Sequence, residues 1–507
     1  MADDSTHISG LGQTSIDVTG IVQKMVDLKA LPEKTWIVEQ GEIAKDVGAW
    51  SDITSLMTDL TGTMDTLRSY ELWNKMEAVA SDSASLSASA GSSAVAGKYD
   101  ISISKLAQSH SVRSTDFTSA TADLSSGGGA GTLTDGDTFE IGGVTFTIGA
   151  DEHGQTLVGK ESLTSLAGKI NNASSAMTAA GRVVATVISA NPTAHYLVLT
   201  RVMTGDTYID SADTLGTPLQ TLQIRSTAGP GDAYQNVLTT HQDAALTINT
   251  IPVTRSSNAG LTDVISGLTL NLLGETTTDV TLTVAADKES AKAAILAFVE
   301  KYNAAAAKVK EYGQITTQGS ALDPKGASVA STGELYNDSL LTDIARNLRK
   351  QVTDTKFPVL NGVNASYTYD GRTGIMSSLQ AIGIWTSGED NKLTVLDENR
   401  LDSVLQSNFG EVEQLFRGVF DATNGYQNGI GSDLYRYTNA VAAPMTGAIA
   451  HRVDTLNTKN TSLQTEIDDM DAYLKVYEQD LWVRFTAMDD AISKLQSSLA
   501  GLKNITG

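Results

Sequence analysis

The sequence of 507 residues contains no cysteine, which excludes disulfide bonds, thiol nucleophiles and zinc–thiolate centres. Basic residues are also few, since 36 Lys and Arg stand against 59 Asp and Glu and the net charge is -23. A charge of this sign repels phosphate backbones and anionic lipids, so nucleic acid is not expected as a partner. No apolar run approaches the roughly 18 residues of a membrane span, so membrane insertion is not expected either.

The amino terminus lacks the features of a cleavable signal peptide. The opening MADDSTHISG has neither a basic segment nor an apolar one. We therefore expect a protein that stays in the cytosol or leaves the cell by a route that needs no such signal.

Motifs of known catalytic chemistry are also missing. The six histidines occur singly, without the spacing of metal ligands: His7, His110, His153, His195, His241 and His451. No GxSxG elbow, Walker loop or Rossmann fingerprint occurs, and the glycine-rich stretch 125–137 reads as a flexible junction. The acidic clusters 468–471 and 489–490 are expected on the solvent face of one helix, without the facing cleft that acid–base catalysis needs. We expect a protein that is not an enzyme and has no catalytic residue, cofactor or metal.

Apolar residues recur at helical spacing at both ends of the chain. Near the amino terminus this set precedes Pro32: Ile16, Val18, Ile21, Val22, Met25, Val26, Leu28 and Leu31. A further seam runs from Ile43 to Leu67. Near the carboxy terminus a seven-residue repeat runs from Val453 to Leu481, missed once at Asn460, and resumes from Phe485 to Leu502. One helix over about 447–502 would be ~80 Å long.

Two matching seams at the two termini predict that these helices pack on each other, in an antiparallel stalk or an oligomeric bundle. The alternative is that they are separate helices in separate cores.

The interior of the sequence is typical of β-strands. Gly142-Gly143 between two alternating runs indicates a tight hairpin, and 245–255 repeats that spacing. RVVATVI, HYLVLTRV, LTLNLL and VTLTV are further predicted strands, and SLTSLAGKI is a short predicted helix. Helical patterns return after Asp287 and include GELYNDSLLTDIARNLRKQV. The stretch 382–396 indicates another hairpin, followed by a capped helix at DENRLDSVL.

These patterns predict an α+β multidomain protein. A terminal coiled-coil or helical-bundle leg is formed by the amino- and carboxy-terminal segments, and β-rich head domains are inserted between them. The predicted boundaries are 1–42 and 471–507 for the terminal helical segment, 43–98 and 286–470 for a helical leg domain with a β-hairpin, 99–130 and 235–285 for a β-rich head domain, and 131–234 for an inserted β-rich outer head domain.

Six segments carry a further signal: SGLG with IDVTGIVQKMVDLKALP, YDISISKLAQSHSVRS, SNAGLTDVISGLTLNLL, FVEKYN, GELYNDSLLTDIARNLR and LQAIGIWTSGEDNKLTVLDENRLDSVLQSNFGEVEQLF. In order and spacing they resemble the bacterial flagellar filament cap protein family, also called hook-associated protein 2. The resemblance covers nearly the whole chain, except for the acidic leader MADDSTH and the outer head domain 131–234, which is the variable part of such proteins.

The resemblance implies a homo-oligomeric plate at the distal tip of the flagellar filament, outside the cell. Such a cap retains exported flagellin and promotes its insertion into the growing filament, without catalysis. The implied partners are further copies of this chain, flagellin, the flagellar export apparatus and an export chaperone that binds the carboxy-terminal helix. Export would use the flagellum's own channel and no cleavable signal peptide.

The terminal helices are then the expected contact surface toward the filament and neighbouring subunits. The predicted contact residues are Ile16, Val18, Ile21, Val22, Met25, Leu474, Tyr477, Leu481, Phe485, Met488, Leu495 and Leu499. The seam from Leu474 to Leu499 is also the candidate chaperone site. Two alternatives remain: a surface adhesin whose head domains bind host glycan, and another axial flagellar protein such as a flagellin or a hook–filament junction protein.

Overall fold

The computed structural model describes residues 18–506, except 126–131, 151–160, 319–328, 357–358, 361–362, 365, 387–389 and 422–424. The helices are α1 Val18–Lys29, α2 Leu31–Arg68, α3 Tyr70–Trp73, α4 Leu163–Asn172, α5 Pro218–Thr221, α6 Lys288–Gly313, α7 Ser339–Thr353, α8 Glu398–Ser407, α9 Phe409–Arg417, α10 Ile430–Ala442 and α11 Ala448–Thr506.

The strands up to residue 287 are β1 Met76–Ala80, β2 Leu86–Ala90, β3 Gly97–Lys105, β4 Ser111–Arg113, β5 Thr138–Ile141, β6 Val144–Thr147, β7 Val183–Asn191, β8 Ala194–Arg201, β9 Ser211–Leu215, β10 Val237–Thr239, β11 Ala244–Ile248, β12 Ile251–Arg255, β13 Leu268–Leu272 and β14 Val280–Ala286. The later strands are β15 Ile315–Gln318, β16 Val329–Thr332, β17 Val359–Leu360, β18 Val363–Asn364, β19 Ser366–Tyr369, β20 Arg372–Ile375, β21 Ile384–Thr386, β22 Leu393–Val395, β23 Val419–Asp421 and β24 Gly425–Gln427.

The chain divides into two compact units. The helical unit comprises the residues up to Trp73 and those from Lys288 onward, and the β-rich unit comprises Asn74–Asp287. The predicted α+β class, with a leg built from both termini and β-rich inserted segments, is confirmed. The finer four-part division stays a prediction.

The core of the helical unit is built on α2, which packs on α6, α10 and α11. The α2 side chains that face this core recur every three or four residues and are fully buried: Trp50, Ile53, Met57, Leu60, Met64 and Leu67. Phe298 of α6 lies among them, with its ring centroid 6.0 Å from that of Tyr302 and 6.1 Å from that of Phe416. The apolar repeat of α2 therefore fixes the centre of this unit.

Capping residues set where the shorter helices begin. Asp338 accepts hydrogen bonds from the backbone N–H groups of Leu340 and Leu341, so α7 begins at Ser339. The predicted helix at GELYNDSLLTDIARNLRKQV was therefore too long at its start, because Asn337 has a φ of +66° and cannot continue a helix. The predicted cap of α8 is confirmed, since the Asp397 side chain accepts from the N–H of Arg400.

The β-rich unit holds two apolar cores. The inner core lies on an antiparallel sheet in the order β1-β14-β3-β11-β12 and on the pair β13-β2. The outer core lies between a four-stranded sheet, β10-β4-β8-β7, a three-stranded sheet, β6-β5-β9, and helix α4. The strands of the inner core come from both ends of this unit's sequence, with β1 to β3 from its start and β11 to β14 from its end.

Two tight turns confirm the predicted hairpins. Gly142 and Gly143, with φ of +59° and +83°, join β5 to β6, and a Cβ on Gly142 would lie 2.5 Å from the carbonyl oxygen of Gly181. Asn249 and Thr250 also have positive φ, and they join β11 to β12. The predicted hairpin of β21 and β22 is present as well.

Candidate functional site

The terminal helices pack on each other in antiparallel fashion, as their matching seams predicted. Val18 and Val22 of α1 are 5% and 1% exposed and lie against Leu481 of α11, which is 6% exposed. The partly buried side chains around them are Val26, Tyr477, Trp482 and Phe485. We call this group the tip cluster.

Polar contacts fix the same antiparallel alignment further along α11. Lys459 forms an ion pair with Glu39 of α2. The side-chain amide of Gln40 donates to the backbone carbonyl of Asn460 at 3.3 Å and to Oε1 of Gln464 at 3.2 Å. The leg is thus a pair of helical segments, with α1 and α2 on one side and α11 on the other.

The predicted contact residues divide into two groups by their burial. The side chains turned into the leg are Val18, Val22, Leu474 and Leu481, with Tyr477 and Phe485 partly buried. The exposed ones are Ile21, Met25, Met488, Leu495 and Leu499. Ile16 lies outside the described residues. Partner contacts by any of these residues stay predictions.

A second set of exposed apolar side chains lies on the outer surface of the leg, and only its Leu28 was among the apolar residues singled out from the sequence. Tyr473, Val476 and Val483 of α11 are 48%, 65% and 68% exposed, and Leu28 of α1 is 69% exposed. The seven-residue spacing between Val476 and Val483 was the available signal, but the stronger inner repeat hid it. The described leg therefore presents apolar side chains on faces that its own helices do not cover.

Acidic residues are exposed on the same helix, α11. Asp468, Asp469 and Asp471 are exposed on α11, which confirms their predicted place on the solvent face. Asp480 pairs with Arg484 one turn later, at 2.8 Å. The solvent side of α11 therefore carries both apolar side chains and carboxylates.

Two histidines of the β-rich unit, His110 and His241, have structural partners. His110 is 1% exposed, its Nδ1 accepts from the backbone N–H of Ile209 at 3.0 Å, and burial lowers its pKa to about 4. His241 lies between two carboxylates, with Nδ1 2.9 Å from Asp206 and Nε2 3.2 Å from Asp232. His7 and His153 lie outside the described residues.

Within the described ranges, no three His, Cys, Asp or Glu side chains converge as a metal site requires. Nor does any helix in the described part of the chain combine the length and apolar character needed to cross a membrane.

Comparison with known proteins identifies the chain's relatives. Two family models match it, "Flagellar hook-associated protein 2 N-terminus" over residues 14–110 and "Flagellar hook-associated protein 2 C-terminus" over residues 241–497. The B-type flagellar hook-associated protein 2 of Pseudomonas aeruginosa is 25% identical over 504 residues, which cover 96% of each chain. The flagellar hook-associated protein 2 of Escherichia coli (strain K12) is 26% identical over 502 residues, or 97% of this chain and 96% of that one.

The fold is similar to a solved structure as well. The crystal structure of the D1, D2 and D3 domains of the flagellar cap protein FliD from Escherichia coli matches with a TM-score of 0.52 and 25% identity. The match covers 81% of this chain and 99% of that one. The family model for the C-terminus alone spans half of the sequence. The similarity to the solved cap protein structure agrees with that match. The chain therefore belongs to the flagellar hook-associated protein 2 family.

Proposed function

We propose that this protein caps the flagellar filament. The observation that carries the proposal is membership of the hook-associated protein 2 family, together with a fold similar to that of a flagellar cap protein. Several copies form a plate at the distal end of the filament, where they retain exported flagellin and promote its insertion. The role is mechanical and requires no catalysis.

The leg supplies the moving part of this mechanism. The tip cluster has three buried side chains, Val18, Val22 and Leu481. Burial of such a side chain contributes about 1.5–3 kcal/mol, so opening the tip costs little compared with unfolding the core on α2. A leg of this kind releases and rebinds as each flagellin subunit is inserted.

The exposed apolar residues of the leg are the proposed contacts with flagellin and with neighbouring copies. Ile21 and Met25 of α1 are 37% and 38% exposed, and Leu495 and Leu499 of α11 are 63% and 61% exposed. None of these four side chains belongs to the buried cores of the described residues, so their truncation should not disturb those cores. Many weak contacts of this size permit repeated release, which one tight interface does not.

The seam from Leu474 to Leu499 is the proposed site of an export chaperone. Leu474 and Leu481 are buried in the folded leg, whereas Leu495 and Leu499 are exposed. A chaperone that covers the whole seam therefore competes with α1 for Leu481. It would bind before the leg forms, and hand-over to the export apparatus would precede folding at the filament tip.

The division of the β-rich unit into an inner and an outer head domain is part of the same proposal. Its two apolar cores support that division. Neither alternative role is proposed, since the matched models and relatives are hook-associated protein 2 and nothing in the comparisons favours a glycan-binding adhesin.

The test is the fate of flagellin in a strain that lacks this gene. We expect flagellin to appear in the culture medium as free subunits, and full-length protein to restore filaments. A chain that ends at residue 470 lacks Leu474 and Leu481 and should not restore them. Normal filament growth without the gene would overturn the cap proposal, and full rescue by the shortened chain would overturn the role of the terminal helix.

A further inference from the structure

Three segments of the chain meet between the two cores of the β-rich unit. The chain passes from the inner core to the outer core at 106–110, between β3 and β4, and returns at 240–243, between β10 and β11. The third segment is the loop 202–210, which joins two strands of the outer core, β8 and β9. The contacts of this loop decide whether the two cores are connected by two segments or by three.

The loop is hydrogen-bonded to residues outside the outer core. The backbone N–H of Asp206 donates to Oδ1 of Asp243, just before β11, at 2.7 Å. The hydroxyl of Thr204 donates to the backbone carbonyl of Ser256, just after β12, at 2.6 Å. Strands β11 and β12 belong to the sheet of the inner core, so the loop forms a third connection between the cores.

Gly205 brings the loop against the two crossing segments. Its N–H donates to the carbonyl of Gln108 at 3.1 Å, and Gln108 forms an isolated β-bridge with Gln242 of the other crossing. Gly205 has a φ of +108°, and a Cβ at this position would lie 2.5 Å from the Cβ of Ser256. A larger residue at Gly205 would therefore displace the loop from the inner core.

His241 lies on the returning segment and joins this loop to a second one. Its Nδ1 is 2.9 Å from a carboxylate oxygen of Asp206, and its Nε2 is 3.2 Å from one of Asp232, in the segment before β10. A neutral imidazole has one N–H and donates to only one carboxylate, whereas an imidazolium donates to both. Both contacts are hydrogen bonds only when the ring is protonated.

Two further rings face His241. Its ring centroid is 5.2 Å from that of His110 and 6.2 Å from that of Tyr208. Burial and the neighbouring His241 lower the pKa of His110 to about 4, and Arg201 acts in the same direction while Asp232 opposes it. His110 is therefore neutral over the range of about pH 5 to 8 in which histidines usually titrate. A change of charge in this pair of histidines over that range belongs to His241.

We propose that His241, Asp206 and Asp232 form a protonation-sensitive clasp that holds the outer core at a fixed angle on the inner core. The imidazolium ties the loop 202–210 to the segment of Asp232. The neutral ring releases one carboxylate, so raising the pH weakens the clasp and the angle between the cores varies more. The clasp is a property of the purified chain and does not depend on the proposed function.

Spin labels measure the angle, because the chain has no cysteine of its own. Val79→Cys in β1 and Ile188→Cys in β7 place one label on each core, at side chains that are 55% and 49% exposed. The labelled protein is diluted into unlabelled full-length protein, so that electron–electron resonance reports distances within one chain. We expect one narrow distance distribution at about pH 5.5 and, at about pH 8.5, a second population about threefold larger than before, since ion pairs at exposed carboxylates are weak.

Two variants and a control separate the clasp from other effects of pH. His241→Gln has one donor and one acceptor, so it should show the broad distribution at both pH values. Gly205→Ala should do the same by displacing the loop. His195→Gln is the matched control, because His195 of β8 pairs with the hydroxyl of Ser189, at 2.6 Å, and not with a carboxylate. It should keep the pH dependence of the parent.

Three results would overturn the proposal. The first is a distance distribution that does not change with pH in the parent protein, and the second is an equal change in the parent and in His241→Gln. The third is the narrow distribution of the parent in Gly205→Ala at both pH values. Circular dichroism shows that each variant is folded, and filament growth enters none of these measurements.

Discussion

The leg has two ends, a base in which α11 belongs to the core of the helical unit as far as Leu463, and a tip that is packed as the tip cluster. The two ends are stabilised very differently. In the base, α2 places Trp50, Met57 and Leu67 in a core shared with α6 and α10, and all three are fully buried. In the tip, Val18, Val22 and Leu481 are the buried members of the cluster. A similar apolar repeat thus serves as a permanent core at one end and as a releasable contact at the other, depending on how many further helices cover it.

The base should respond to loss of a core side chain by global destabilisation. Phe298→Ala removes a fully buried ring that contacts Tyr302 and Phe416, and we expect the free energy of unfolding to fall by about 3 to 5 kcal/mol. Urea denaturation followed by tryptophan fluorescence measures this directly. All five tryptophans lie in the helical unit: Trp36, Trp50, Trp73, Trp385 and Trp482. A loss below 1 kcal/mol would contradict the assignment of the base as the stable part.

Lowering the pH should destabilise the β-rich unit before it destabilises either part of the leg. The pKa of His110 is lowered from 6.5 to about 4 by burial, so the unfolded chain takes up a proton in this window and the folded chain does not. The free energy of unfolding of that unit therefore falls as the pH drops from 6.5 toward 4, by about 2 to 3 kcal/mol at pH 4.5.

The measurement is the urea transition that circular dichroism detects but tryptophan fluorescence does not. His110→Asn retains an acceptor for the N–H of Ile209 without a titrating ring, so its transition should lose this part of the pH dependence. An unchanged pH dependence in the variant would assign the effect to other groups.

The tip should respond to the same kind of truncation only locally. Leu481→Ala removes a buried member of the tip cluster, and we expect it to favour the open tip by about 2 kcal/mol while the main fluorescence transition moves by less than 0.5 kcal/mol. Hydrogen exchange of 18–29 reports the local effect.

Leu463→Ala is the matched control for that truncation, since Leu463 is as buried as Leu481 but belongs to the core of the base. It should lower the global free energy of unfolding by about 2 to 4 kcal/mol. If the two variants behave alike, the distinction between base and tip is wrong.

The extent of the helices was predictable from the sequence because an apolar helical repeat involves only residues that are close in sequence. The predicted carboxy-terminal helix over 447–502 is close to the observed Ala448–Thr506, and the strands of all three predicted hairpins are in place. Strand β2 was not predicted, because Ser and Ala fill most of Leu86–Ala90 and leave little alternation to detect. It becomes a strand by pairing with β13, nearly two hundred residues away.

The burial of the candidate site was less predictable, since it depends on what faces each residue. Leu481 and Leu495 are both apolar members of the α11 repeat, but one is 6% and the other 63% exposed. The break at Asn460 was visible as a missed apolar position. Its unpaired buried oxygen was not, because that depends on the side chains of α2.

The smallest effect on stability, and the sharpest separation of folding from assembly, is expected at the exposed end of α11. Leu495→Ala should change the free energy of unfolding by less than 0.5 kcal/mol, because the side chain is already 63% exposed and alanine favours the helix. If Leu495 contacts a partner, this variant should nevertheless leave more free flagellin in the medium than the parent protein. Gln496→Ala changes the next exposed residue and should behave as the parent in both measurements. Equal flagellin loss from both variants would show that Leu495 has no specific role at the end of the helix. No loss from either variant would show that Leu495 is not part of the contact surface.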